Sequence, residues 1–168
     1  MSRDIAGFVV LVLTAANLVL WLGVANASTR TIHFTASEEG TYECGGPCAT
    51  AATFMAAGNA RASAPDLGPM SYSAEGAVLS FNEKTACLEQ VETWVFTLAN
   101  GGGSFTLRTT HDTFCFTRDP NVSIETGTFV ITGGTGRLAH ATGSGSFRET
   151  VLTHPQVGSG TLEASITY

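Results

Sequence analysis

From Thr161 to Tyr168 the side chains switch character at every step. Leu162, Ala164, Ile166 and Tyr168 fall on one side, and Thr161, Glu163, Ser165 and Thr167 on the other. A period of two is what a strand with one buried face produces, and a helix cannot satisfy it. Trp94, Phe96 and Leu98 form a second such stripe, Phe105 and Leu107 a third, and Phe114 and Phe116 a fourth after a turn-like His111-Asp112. Phe129 and Ile131 alternate with Thr128, Val130 and Thr132. Asn100-Gly101-Gly102-Gly103 joins two of these stripes as a hairpin would. Strands are therefore expected over 30–35, 77–83, 88–98, 104–110, 113–118, 123–132, 146–153 and 160–168, the pattern of an all-β sandwich or barrel. The alanine-rich stretch 47–64 is expected to be a short helix or a loop.

The first 27 residues are of another kind. Arg3 precedes an almost wholly apolar run, Ile5 to Val24, and Ala25-Asn26-Ala27 gives the small-x-small ending that signal peptidase cuts. The expected organisation is a signal peptide over 1–27 and a single domain over 28–168, delivered to the periplasm, the cell envelope or the outside. About 20 apolar residues can also span a bilayer, so a retained anchor is the alternative. The four cysteines, Cys44, Cys48, Cys87 and Cys115, all follow the leader, and an even count behind an export signal reads as disulfides. Three pairings are possible. The favoured one joins Cys44 to Cys48 as a local clip and Cys87 to Cys115 as a bridge between strands.

Charge and motifs remove several function classes. The formal net charge is −6 and Lys84 is the sole lysine, so the cationic cluster that displaces counterions from nucleic acid is missing. Anionic lipid surfaces are unsuitable partners for the same reason, and no membrane contact is expected once the leader is removed. Gly133-Gly134-Thr135-Gly136 follows a strand, but Gly143 and Gly145 come where a dinucleotide site needs a helix, so no nicotinamide cofactor is expected. Cys44-Gly45-Gly46-Pro47-Cys48 has three residues between its cysteines where thioredoxin-like chemistry uses two. His33, His111, His140 and His154 lack ligand spacing, and no metal is expected. No Gly-x-Ser-x-Gly elbow is present, and no catalytic set is assigned. Asn121-Val122-Ser123 is a glycosylation sequon, relevant only in a eukaryotic secretory pathway.

The run Gly127-Thr-Phe-Val-Ile-Thr-Gly-Gly-Thr-Gly-Arg-Leu-Ala-His-Ala-Thr-Gly-Ser-Gly-Ser-Phe147, with the ending Gly160-Thr-Leu-Glu-Ala-Ser-Ile-Thr-Tyr168, resembles the C-terminal half of the dirigent and allene oxide cyclase-like β-barrel superfamily. Small exported bacterial members of that superfamily, most without a known activity, are the nearest in character. Trp94-Val-Phe-Thr-Leu-Ala-Asn-Gly101 is similar to their central hairpin. The resemblance implies a closed antiparallel eight-stranded barrel with an apolar interior, sometimes open to a small hydrophobic ligand. Relatives of this kind cyclise an epoxide or steer the coupling of phenoxy radicals; none of their site residues can be carried onto this chain.

An eight-stranded barrel has room for packed side chains or for one small ligand. Trp94, Phe96, Phe105, Phe114, Phe116, Phe129 and Phe147 are expected to line it, as core or as a ligand chamber. The first functional expectation is binding of a small apolar or aromatic ligand, or of an envelope partner, without catalysis. The alternative is a cyclase or isomerase that confines its substrate, using a polar group such as Glu92; Arg108 alternates with Phe105 and Leu107 and is expected to point outward. A purely structural secreted protein is the third.

Overall fold

A computed structural model describes residues 30–44 and 53–168, with backbone alone at Tyr42 and Cys44. It is a closed barrel of eight strands: β1 (Thr31–Cys44), β2 (Thr53–Ala62), β3 (Pro69–Asn82), β4 (Cys87–Leu98), β5 (Ser104–Phe116), β6 (Val122–Gly134), β7 (Thr142–Leu152) and β8 (Val157–Thr167). Each strand pairs antiparallel with its neighbours in sequence. β1 then closes on β8, with Ile32 opposite Ile166 and Gly40 opposite Gly158. Closure satisfies the backbone groups that an edge strand would expose.

Eight strands were expected and eight are found, but they are not the same eight. Within the alanine-rich stretch, 47–52 lie outside the described residues, and Thr53–Ala62 forms β2 and not a helix or a loop. Its Ala56, Ala60 and Ala62 face inward while Met55, Ala57, Asn59 and Arg61 face solvent. Alanine favours helices in isolation, but small side chains facing the barrel axis leave room for the rings of other strands, and packing overrides propensity. The two segments expected at 104–110 and 113–118 are one strand, β5, interrupted by a register shift between Thr109 and His111. β1 and β3 are also longer than expected. The glycine run behaves as a turn: β6 ends at Gly134, a single 3-10 turn covers Gly136–Leu138, and antiparallel β7 follows. A side chain on Gly134 would collide with the carbonyl of Ser104.

One half of the interior is apolar. Tyr72 stacks on Trp94 at 5.3 Å between centroids, Trp94 on Phe96 at 5.8 Å, and Phe96 on Phe105 at 5.1 Å. Phe147 leans on Trp94 at 5.6 Å. Leu67 and Leu138, both fully buried, belong to the same cluster. Their two turns are tied together, because the Arg137 guanidinium donates to the Asp66 carbonyl and Arg30 pairs with the Asp66 carboxylate.

The Cys87–Cys115 disulfide links directly paired positions of β4 and β5, as expected. The leader, expected to be a cleavable apolar helix, and the expected Cys44–Cys48 clip lie outside the described residues. Replacing Cys87 and Cys115 together by serine should cost roughly 3 kcal/mol, since the bridge closes a 28-residue separation. Chemical denaturation of the double variant checks this, and an unchanged midpoint would refute it.

Candidate functional site

Halfway along the barrel the inward side chains change chemistry while their alternation continues. On β4 the inward positions run Leu98, Phe96, Trp94, then Glu92 and Gln90, and finish at Leu88. On β6 they run Ile131 and Phe129, then, past Gly127, Glu125 and Ser123. On β7 Glu149 follows Phe147, and on β1 Glu38 follows Phe34 and Ala36. β5 adds Asp112 through its irregularity. Without the register shift, Thr109 facing inward would send Asp112 outward; with it, both are buried and Thr110 and His111 face solvent. Five carboxyl groups from five strands thus form one layer, with exposures of 0% for Glu125, 1% for Asp112 and Glu149, 2% for Glu92 and 5% for Glu38.

The sheet is adapted to hold them. Opposite Glu149 stands Gly160, where a Cβ would come within 2.5 Å of Glu149 Cγ and 2.9 Å of Glu38 Oε1. Glycine there makes room for both side chains. The β4–β5 ladder is interrupted between Glu89 and Thr93, and the backbone N–H of Glu92 donates instead to Thr109 Oγ1 at 2.8 Å. The Gln90 amide donates to Glu125 Oε1 at 2.9 Å and to Glu92 Oε1 at 3.2 Å. Trp94 Nε1 donates to Glu92 Oε2. No donor reaches either oxygen of Asp112 or Oε2 of Glu125 with hydrogen-bond geometry.

No buried cation offsets this charge among the described residues. Among the described residues every lysine, arginine and histidine is exposed. An unpaired carboxylate out of water is costly, so the protonated form is favoured. Burial first, then the Glu149 and Glu92 charges, pushes Glu38 up from 4.5 to about 10. Burial also holds Asp112 up at about 7, tempered by Glu125 and Gln90. Glu92 is raised by burial and then by Asp112, and Glu125 by burial and then by Glu92. The Tyr72 hydroxyl is buried without a hydrogen-bond partner and is driven upward by burial and by the surrounding carboxylates.

The residues expected to line a ligand chamber separate into two groups. Trp94, Phe96, Phe105 and Phe129 are buried in the ring cluster, in contact with one another or with other core side chains. Phe114 is partly buried against that cluster, and Phe116 packs at the margin on Phe114 and on exposed Phe81. The apolar interior that the resemblance implies covers only half of the barrel. Arg108 points outward, as expected, and Glu92 inward. His111 and Asp112, expected as a turn, lie within β5 and occupy its opposite faces. His33 Nδ1 lies 2.6 Å from Ser165 Oγ on the outer surface, in an open groove of about 620 Å³.

Four of the five acids were missed although their parity is visible. Glu38, Glu125 and Glu149 share stripes with Phe34, Phe129 and Phe147, as Glu92 does with Trp94. Asp112 shares its stripe with Phe114 and Phe116, beyond the irregularity that puts them out of step with Phe105 and Leu107.

Comparison with known proteins adds no relative to this geometry: no family model, no curated protein and no solved structure matches the chain.

Proposed function

We propose that this is an exported, non-catalytic ligand-binding barrel whose binding end is the carboxyl layer and whose ligand carries positive charge. One observation carries the reading: five buried carboxyl groups converge, and no basic side chain among the described residues is buried beside them. Such a layer is unfavourable unless protons or a bound cation neutralise it. The aromatic half supports the same division of labour, since rings at 5.1–5.8 Å from one another serve as packing. Export rests on the leader and agrees with the Cys87–Cys115 bridge. The resemblance to the dirigent and allene oxide cyclase-like barrels fits the strand count, and the acidic layer replaces part of the apolar lining that it implies.

The test is a melting screen at pH 8 with calcium, magnesium, manganese, an alkylammonium and neutral aromatic compounds. A cation at 100 times its dissociation constant should add about 2.7 kcal/mol, or roughly 5–10 °C. If neutral aromatics stabilise the protein and no cation does, the ligand belongs to the aromatic half and the proposal fails.

A second reading, a cyclase or isomerase working by confinement, is favoured by Glu38. It is a buried acid that stays protonated at neutral pH and could donate a proton inside the barrel. Turnover of a hydrophobic epoxide that Glu38→Gln abolishes would select it. Absence of turnover leaves the non-catalytic reading.

A further inference from the structure

We infer that Glu92, Asp112 and Glu125 form a site for one hard divalent cation of calcium size. This rests on the cation-binding reading and gives it a place and a ligand class. The three residues come from adjacent strands β4, β5 and β6, and each offers a carboxylate oxygen within 4.8 Å of the others. Calcium takes carboxylate oxygens at about 2.3–2.6 Å in protein-built cages, whereas magnesium usually keeps several waters and takes only one or two carboxylates, so three converging buried carboxyl groups suit calcium. The donors are all oxygen, with no cysteine or histidine among them, which suits a hard ion over zinc or copper.

The surroundings prepare the donors. Gln90 Nε2 bridges Glu125 Oε1 and Glu92 Oε1, and Trp94 Nε1 holds Glu92 Oε2. Both oxygens of Asp112 and Oε2 of Glu125 remain without a donor, although the two residues are 1% and 0% exposed. Orientation of ligand oxygens by neighbouring amides is what a cation site needs around its first ring of atoms. A further observation comes from outside the three residues. The Tyr72 hydroxyl, 4% exposed and without a hydrogen-bond partner, faces the same carboxyl layer, Glu38 and Glu149 first and then Glu92 and Glu125. An oxygen that is buried, unpaired and beside acids is a group that a cation or its bound water would satisfy. The β5 irregularity also gains a purpose here. It is the device that turns Asp112 inward between Glu92 and Glu125.

Terbium tests the site directly, because it is a calcium-sized ion that emits when a neighbouring tryptophan is excited. In the full chain, tryptophan excitation should give terbium emission that calcium competes away. Trp94→Phe should lower that emission at least about tenfold, which separates Trp94 from Trp21. Asp112→Asn, isosteric and one charge smaller, should weaken terbium by on the order of 100-fold, and Gln90→Met by about 10- to 100-fold. Circular dichroism establishes that each variant folds, and Glu163→Gln, on the exposed face of β8, should keep the emission. Emission that survives Asp112→Asn but disappears in Glu38→Gln would move the ion to the Glu38–Glu149 pair and overturn the assignment. No emission, together with a melting shift by an alkylammonium, overturns the metal site and leaves the cation-binding reading standing. No response to any cation overturns both.

Discussion

Raising the pH from 5 to 9 in the presence of a chelator lowers the melting temperature of this protein. Glu38 contributes through its whole range, since its carboxyl is pushed from 4.5 to about 10 in the fold, and the raised Asp112, Glu92 and Glu125 act in the same direction. Between those values the folded chain keeps a proton that the unfolded chain has lost. Stability therefore falls as pH rises: the contribution is complete below 4.5, declines throughout the interval and is gone above about 10. One group titrating in this way changes stability by about 1.4 kcal/mol per pH unit. Across four units that is on the order of 5 kcal/mol, a large share of the roughly 5–15 kcal/mol that holds a domain together. The groups facing Glu38 do not counter it, since Glu149 on β7 and Glu92 on β4 are acids and Tyr72 on β3 is neutral below its raised pKa. Melting curves at half-unit steps from pH 4.5 to 9.5 measure the slope. Glu38→Gln should reduce the slope by one group's share, leaving the part that Asp112, Glu92 and Glu125 contribute, and stabilise the protein at pH 9. A melting temperature that is level or rises over this range would show that Glu38 is ionised in the fold.

The same acids show what the sequence made legible and what it did not. Strand alternation identified the all-β class and the β4–β5 hairpin, because each depends on local period and spacing, and the Cys87–Cys115 pair was the favoured one of three pairings. It failed at Thr53–Ala62, where the inward side chains are alanines. With a one-carbon side chain, the contrast between faces almost vanishes, and only the outward Asn59 and Arg61 mark the period. It counted β5 twice, because an irregularity in a strand and a turn between strands look alike when a polar pair such as His111-Asp112 interrupts an apolar stripe. The carboxyl layer was hidden for a different reason. A glutamate on a strand is ordinarily placed toward solvent, so Glu38, Glu125 and Glu149 pass unnoticed unless parity is followed through them. Gly160 is the companion signal, an inward glycine opposite an inward acid. Which acids converge across five strands is a property of register and closure, and neither is written in any one segment.

Truncating Trp94 to alanine should have the largest effect of any single core substitution, about 3–5 kcal/mol. The indole is 2% exposed and touches the rings of Tyr72, Phe96 and Phe147, so its removal leaves a void between three side chains that are held by their own strands. It also withdraws the N–H that Glu92 accepts from, leaving a buried carboxyl with one donor fewer. Trp94→Phe separates the two contributions, since it restores most of the ring volume but not the donor; it should cost about 1–3 kcal/mol. Phe96→Ala, which removes a ring with no polar handle, should fall near the Trp94→Ala value. Phe116→Ala should cost about 1 kcal/mol or less, because that ring is half-buried and packs at the margin on an exposed partner. Urea titrations of the four variants give the ordering. If Trp94→Ala and Phe96→Ala prove no worse than Phe116→Ala, the rings line a chamber instead of filling a core, and a neutral aromatic ligand would again be the occupant to seek. The reverse ordering keeps the aromatic half as the rigid floor on which the carboxyl layer is held.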